Sequence, residues 1–406
     1  MSRKEKKLPV DKHGRPMKRR AFPRKPLYII GILVLAAAAI AFLWMLIVAD
    51  LLPSDLTIIL AVTVSVLLML TWFMFSSRYA WKRIIGIVLA LALIFVLVSV
   101  TSFLSSTHDT LNKISSAGIS SDEGPDPIDV NVTEEPFNIY ITGIDQWEEE
   151  KGYDLERSDV NMIVTVNPVT KKVMLTSIPR DSYVMLHTFQ QMDKLTHTGV
   201  YGVDETLNTV EDWLGIKLDY YVKTNFSGVR DVIDAMGGVD VYSPVAFKSS
   251  ISNYEYVKGV NHCNGKKALF FARERKSFEG KDSIRVENQQ RVVKAMLDKL
   301  TTSSTLLTKY ADIMGAAGSS LETNLKTKDL QALVKMQLED LGTWDIETQK
   351  VEGEYDFDYV ASLTQSQKFQ VYRPSSESVA AILAKIEEVS NPTEEELAQI
   401  EEEKKK

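Results

Sequence analysis

The sequence predicts an extracellular α/β domain of three-layer type, with a central mixed β-sheet flanked by helices, preceded by three transmembrane helices. Three observations predict it. Uncharged apolar runs fill 27–49, 56–77 and 84–104 of the 406 residues. Beyond them, short β-branched and aromatic runs alternate with stretches of helical spacing. Basic side chains cluster before the first run and between the second and third, but not between the first and second.

Each apolar run is long enough for a hydrocarbon core, which needs about 20 helical residues. Buried core helices carry a polar face, and these runs have none. Residues 1–25 hold eleven Lys and Arg against Glu5 and Asp11. The loop at 50–55 has no basic residue, whereas Arg78, Lys82 and Arg83 lie between the second and third runs. By the positive-inside rule the N-terminus and the second loop are cytoplasmic, and three crossings put everything after Leu104 outside. A cleavable signal peptide fits poorly, because the first run is too long and two more follow. The expected organisation is a cytoplasmic basic tail (1–26), three spans (27–104), a Ser/Asp/Gly/Pro-rich linker (105–135), a folded domain (136–390) and a charged tail (391–406).

Residues 105–406 carry 33 Lys+Arg against 50 Asp+Glu, a net charge of −17. Such a domain does not gather polyanions by bulk attraction, so any phosphate affinity must be local. The basic tail is accounted for by topology, and no nucleic-acid partner is expected. Cys263 is the single cysteine; it excludes an intramolecular disulfide and any cysteine metal cluster. A domain of about 270 residues is stable on its core alone, which fits the outer face of a bacterial membrane.

In chain order, 137–145, 160–168 and 172–181 read as strands. Asn167-Pro168 marks a turn that makes a hairpin of the second and third. Residues 203–214 have helical spacing, 219–224 read as a strand, and 226–236 form a helix closed by Gly237-Gly238. Residues 269–275 read as a strand, 283–300, 327–341 and 379–389 as helices, and 394–406 as a solvated tail.

Antiparallel pairing of the first three strands brings Asp145, Arg157, Asp159, Arg180 and Asp181 to one edge of the sheet. Carboxylates beside arginines suit a divalent cation on a diphosphate: the carboxylates give Mg²⁺ its oxygen ligands and the arginines neutralise phosphate oxygens. Surface ion pairs at strand ends are the plainer alternative. Arg273 and Arg275, two apart on a strand, share a face; Arg285 and Gln289, four apart on a helix, share its surface. The plainer alternative for the first pair, an edge strand made soluble by charge, leaves unexplained why arginine is used where lysine outnumbers it three to one. Arg291, six residues past Arg285, faces elsewhere. There is no P-loop, dinucleotide fingerprint or nucleophile elbow, and His187, His197 and His262 lack metal-ligand spacing.

These residues resemble the LytR-CpsA-Psr family of membrane-anchored glycopolymer transferases. The matching motifs are Gly143-Ile-Asp145, Arg157-Ser-Asp159, Ser177-Ile-Pro-Arg180-Asp181, the stretch from Val232 to Val241, Arg273-Glu-Arg275, and Asp282-Ser-Ile-Arg285 with Gln289-Gln290. Any one is weak, but six in order are specific. The resemblance implies a phosphotransferase that moves a teichoic acid or capsular polysaccharide from a polyprenyl-pyrophosphate carrier to peptidoglycan. It implies Mg²⁺ (or Mn²⁺) on Asp145 and Asp159, and pyrophosphate held by Arg157, Arg180, Arg273, Arg275, Arg285 and Gln289. The catalytic set it implies is Asp159, Arg180, Asp181, Arg273 and Arg275, with Asp159 or Asp181 as base, and an apolar tunnel for the lipid. The chain departs from the family at Trp147 and Asn288, where arginines are common, so two phosphate contacts are in doubt. Its three spans resemble the capsule-associated members, but the linker has no room for their extra domain. The competing readings are a pyrophosphatase that hydrolyses the carrier link and a non-catalytic, lipid-sensing regulator such as a transcriptional attenuator.

Overall fold

A computed structural model of the chain describes residues 24–50, 52, 54–77, 79–119, 130–144, 157–277, 282–302, 305–318, 320–339, 342–363 and 366–403. Helices α1 (Arg24–Ala49), α2 (Ser54–Phe75) and α3 (Ala80–Ile119) come first. All three contain segments long and apolar enough to cross a membrane, at Ile29–Ala49, Ser54–Phe75 and Ala80–Ser106. Their hydroxyls are satisfied within the helix: Thr63 and Ser65 donate to the carbonyls of Ile59 and Ala61 at 2.7 and 2.8 Å, as an apolar surrounding requires. Helix α3 runs through the first half of the stretch expected to be linker. No proline or glycine stands between 105 and 117 to stop it. The helical segments up to Val48 and from Ser54 to Ser102 form one compact unit, and Ala49–Pro53 with the chain from Phe103 onward belongs to a second.

The second unit is built on β1 (Phe137–Ile144), β2 (Ser158–Asn167) and β3 (Lys172–Ile178), antiparallel in succession. Strands β4 (Tyr183–Met185) and β5 (Met192–Lys194) pair next to them, and a 3₁₀ turn (Leu195–Tyr201) leads into α4 (Val203–Leu214). Strand β6 (Tyr220–Asn225) lies parallel to β1, and α5 (Phe226–Ala235) follows it directly. Then come β7 (Val239–Ser243), β8 (Phe247–Lys248), β9 (Glu255–Tyr256), β10 (Gly259–Cys263), α6 (Gly265–Arg273), α7 (Asp282–Thr302) and α8 (Thr305–Gly318). The chain ends with β11 (Leu321–Thr323), α9 (Thr327–Glu339), β12 (Asp345–Lys350), β13 (Gly353–Asp358), β14 (Phe369–Pro374), α10 (Ser376–Ser390) and α11 (Glu394–Glu403).

The sheet is mixed, in the order β11-β6-β1-β2-β3-β12. One face packs Tyr140, Ile163 and Tyr221 under Leu207 and Val210 of α4 and Ile382 and Ile386 of α10. The other packs Met162, Val164 and Leu175 against Val293 and Leu297 of α7 and Leu333 of α9. These are the expected three layers. A further apolar cluster joins α5, α6, α7 and α8 around Ile233, Phe271 and Val292.

One expectation is overturned, and the solvated tail gains structure. Residues 269–275 are not a strand: α6 ends at Arg273. Asn264 caps it by accepting from the Lys267 N–H at 2.9 Å, and Ala268, Leu269, Phe271 and Ala272 are buried at helical spacing. The apolar triplet Leu-Phe-Phe is too short to tell strand from helix by itself. The C-terminal tail contains a helix, α11. Its start is a capping box in which Thr393 N–H donates to Glu396 at 3.0 Å and Glu396 N–H donates to Thr393 Oγ1 at 3.3 Å. Glu396 also pairs with Lys172 at 2.7 Å.

Candidate active site

Strand pairing sets the site. Ile144, the last residue of β1, stands opposite Ser158 at the start of β2, and Ile178, ending β3, stands opposite Asn161. Asp159 and Arg180 therefore emerge at one sheet edge, where Arg180 Nη1 donates to Asp159 Oδ1. Asp181 is held by Lys194 Nζ at 3.1 Å and Arg180 Nε at 3.7 Å. Asp145 and Trp147 lie outside the described residues.

Above this edge is a cleft of about 170 Å³ lined by Asp159, Phe226, Ile251, Arg273, Arg275, Lys276, Arg285 and Gln289. Helix α6, the chain just after it and helix α7 supply the cations. Arg273 is the last residue of α6, and its guanidinium lies 5.0 Å over the ring of Phe226, the first residue of α5. Arg275 follows two residues later in extended chain, so the pair meets the cleft across a helix end instead of along one strand face. Arg285 and Gln289 lie one turn apart on α7, as the four-residue spacing requires. Four cations thus face one cleft in an acidic domain. Arginine forks grip phosphate oxygens bidentately and keep their charge at any physiological pH.

Not every expected residue lines the cleft. Arg157 is exposed just before β2 and is not among the lining residues. Arg180 and Asp181 stand behind Asp159 instead of on the wall. Arg291 is turned to Glu287 and Asn288, at 3.0 and 2.8 Å. Gln290 is a packing residue: its amide donates to the carbonyl of Leu175 at 3.2 Å, tying α7 to the sheet. Asn288, where the family often has arginine, is buried and cannot reach solvent-side phosphate.

Sequence reasoning missed the residue that shapes the arginine turn. Glu274 is fully buried. Its carboxylate accepts from Ser250 N–H and Oγ, both at 2.7 Å, and from the N–H groups of Arg275, Lys276 and Ser277 at 3.1, 3.1 and 3.3 Å. Burial by itself would push this carboxyl up, but the hydrogen bonds from Ser250, Ser249 and Ser277 outweigh it and hold it below the ordinary range. A glutamate between two arginines reads as a surface ion pair, so only its burial exposes its role. Phe226 and Ile251 carried no signal at all, being ordinary apolar residues in sequence.

His197 is structural. Its Nδ1 lies 2.6 Å from Asp193 Oδ1 and 2.7 Å from Ser362 Oγ, and Ser362 N–H donates to Asp193 at 2.8 Å. Among the described residues no group of three or more His, Cys, Asp or Glu side chains gathers as a metal cage. A magnesium ion on a diphosphate needs only one or two protein carboxylates, because phosphates and water complete its shell. Asp159, a half-buried carboxylate on the cleft wall, fits that role as one of the two expected ligands.

The LytR_cpsA_psr family matches over residues 97–387. The chain belongs to that family. It is 31% identical over 266 residues to the polyisoprenyl-teichoic acid–peptidoglycan teichoic acid transferase TagU of Bacillus licheniformis, covering 63% of this chain and 82% of that one. It is 33% identical to the protein of the same name from Bacillus subtilis, over 55% of this chain and 69% of the relative. Among solved structures, B. subtilis TagV superposes with a TM-score of 0.52 at 30% identity, covering 64% of this chain and 99% of that one. TagT bound to LIIa-WTA superposes with a TM-score of 0.52 at 25% identity, over 66% and 97% of the two chains. The family's mixed sheet with flanking helices is the fold described above, and three apolar helices precede it here.

Proposed function

We propose that this chain is a membrane-anchored phosphotransferase. It moves a teichoic acid or related anionic glycopolymer from a polyprenyl-pyrophosphate carrier to peptidoglycan, on the outer side of a bacterial membrane. The observation that carries the reading is the cleft in which Arg273, Arg275, Lys276 and Arg285 face Asp159. In a domain with so large a negative charge, a local gathering of cations is what affinity for a phosphate requires. The transferases among its relatives act on this class of substrate by name.

In this reading the arginines and Gln289 hold the diphosphate, and Phe226 and Ile251 receive the first isoprenoid unit. An acceptor sugar hydroxyl attacks the phosphorus that carries the glycan. The new P–O bond joins glycan phosphate to acceptor as a phosphodiester, the P–O–P bridge breaks, and polyprenyl phosphate leaves with the bridging oxygen. The hydroxyl proton passes to Asp159, which lines the cleft, whereas Asp181 is not among the lining residues. Arg180 orients Asp159 through its hydrogen bond. Charge developing on the phosphoryl oxygens is met by guanidinium groups already in place. Asp159, with Asp145, would hold Mg²⁺, which supplies further neutralisation of the diphosphate when bound.

The test is a transfer assay on the full-length protein in detergent, with a lipid-linked donor and with or without peptidoglycan. Transfer should require acceptor and should fall by about 10²–10³ in Arg275→Ala, the usual cost of one preorganised charge-stabilising donor. Release of polyprenyl phosphate at the same rate without acceptor would establish a pyrophosphatase instead. Binding without turnover in the presence of acceptor and Mg²⁺ would establish a sensor. Orientation is tested separately by a C-terminal alkaline phosphatase fusion, active only if that end is outside.

A further inference from the structure

The β13–β14 hairpin carries a surface that phosphate chemistry does not use. Tyr355, Phe357 and Tyr359 follow one another at every second residue and are 45%, 58% and 44% exposed. Tyr355 and Phe357, alternate residues of β13, share a face, and the ring of Tyr359, just past the strand, lies 5.6 Å from Lys368 Nζ. Tyr372 stands opposite Tyr355 in register, with its ring edge-on at 5.1 Å. The other face holds the hairpin to the body. There Arg373 pairs with Asp356 at 2.7 Å and with Asp358, and lies 5.0 Å over the ring of Tyr183. Val371, between them, is fully buried.

The hairpin also adjoins the reacting end of the sheet. Tyr372 N–H donates to the carbonyl of Asp181 at 2.8 Å, and Tyr372 forms a parallel bridge with Ser182. Val351 N–H donates to Ser177 O at 2.9 Å, so the chain enters the hairpin from the sheet edge where Asp159 and Arg180 pair.

We propose that this aromatic face is the docking platform for the acceptor glycan, a neutral chain of N-acetylated hexosamines. The proposal rests on the transferase reading and adds the surface that receives the second substrate. Sugar rings present C–H faces that suit the negative face of an aromatic ring, while their hydroxyl and amide edges seek partners such as the Tyr355 hydroxyl and Gln370. Single exposed rings are commonplace, but a contiguous aromatic patch marks an interaction site. Charge chooses the acceptor over the donor. The aromatic face itself, Tyr355, Phe357, Tyr372 and Gln370, carries no charge, whereas the cleft gathers Arg273, Arg275, Lys276 and Arg285. A polyanionic teichoic acid is thereby drawn to the cleft, and a neutral glycan is left to the hairpin.

The test uses the full-length protein in detergent and purified peptidoglycan sacculi stripped of teichoic acid, with no donor present. The protein is expected to cosediment with sacculi and to be released by soluble chitotetraose. Tyr355→Ser/Phe357→Ser should bind about tenfold more weakly or worse. Phe357→Ala, at the most exposed ring, should lose several-fold with an unchanged melting temperature, and Phe357→Trp should restore binding. Full retention in both weakened variants, or retention that chitotetraose does not compete because a peptide or protein is bound, overturns the platform. The two readings fail separately. A protein that docks on sacculi but transfers nothing overturns the transferase reading. One that transfers with an unchanged acceptor KM in Phe357→Ala overturns the platform.

Discussion

Replacing Glu274 with alanine removes, from a fully buried position, the acceptor of five hydrogen bonds. The two from Ser250, at 2.7 Å, are charge-assisted and are worth about 1.5–3 kcal/mol each. The three from the turn, at 3.1–3.3 Å, are long and share one carboxylate oxygen, and contributions within one network do not add. A loss of about 3–4 kcal/mol is expected, or roughly 6–16 °C in Tm for a domain of this size. The turn that presents Arg275 and Lys276 to the cleft is then released. Misplacing a catalytic group by about 1 Å costs on the order of 10² in rate, so kcat/KM should drop by that factor even at a temperature where the variant is folded. Glu274→Gln keeps one acceptor oxygen but turns a donor toward Ser250, and it should fall between. Its pH behaviour separates charge from shape. The folded carboxyl titrates below its unfolded value of about 4.3, so its stabilisation is present above that value and is lost as pH falls through the folded pKa. Glu274→Gln should lack this acid-side loss. Thermal unfolding from pH 3 to 7 and transfer kinetics are the assays. Wild-type Tm and kcat/KM in Glu274→Ala would refute the positioning role.

Other outcomes follow from the same geometry. Chelation with EDTA should stop transfer and added Mg²⁺ should restore it. Asp159→Asn should cost about 10²–10³ in kcat with the melting temperature nearly unchanged. Burial alone would raise the carboxyl of Asp193, but its bonds to His197, Lys194 N–H and Ser362 hold it below the ordinary range. Its contribution is therefore present above the unfolded value of about 3.9 and is lost as pH falls, and Asp193→Ala should cost about 1–3 kcal/mol by leaving its buried donors unpaired, read by denaturant melts. Gly353→Ala would put a Cβ 2.0 Å from the carbonyl oxygen of Arg373, so amide protection of residues 354–373 should collapse while that of β1 to β3 persists.

The first three strands are legible because each carries its own local signal, and the Asn167-Pro168 turn orders two of them. Strand β12 is not, because DIETQK is polar and alternates weakly, and β13 is short and turns the aromatic residues of its alternating GEYDFD outward instead of into the core. Their strand character comes from pairing with β3 and β14. The α6 segment misleads in the opposite sense: three apolar residues in a row suit a strand as well as a helix, and the Asn264 cap decides. Arg273 and Arg275 are visible as arginines in an arginine-poor domain, yet their convergence with Asp159 depends on helix α6 ending where it does. Arg157 looks equivalent to them in sequence, and its place outside the cleft wall follows from its position before β2 begins.

Sequence alone determines the anchor, the charge and the residue types. Twenty-residue apolar runs and the bias of lysine and arginine act through local solvation, and arginine chemistry is intrinsic to the side chain. Six short motifs in fixed order were enough to indicate the family. Tertiary structure alone decided which charged groups share a cleft and which serve the scaffold. Burial and hydrogen bonding are properties of chain segments far apart in sequence. Glu274 is a polar residue between two arginines until Ser250 closes over it, and Tyr355 and Phe357 are merely aromatic until the hairpin puts them on one exposed face beside Asp181.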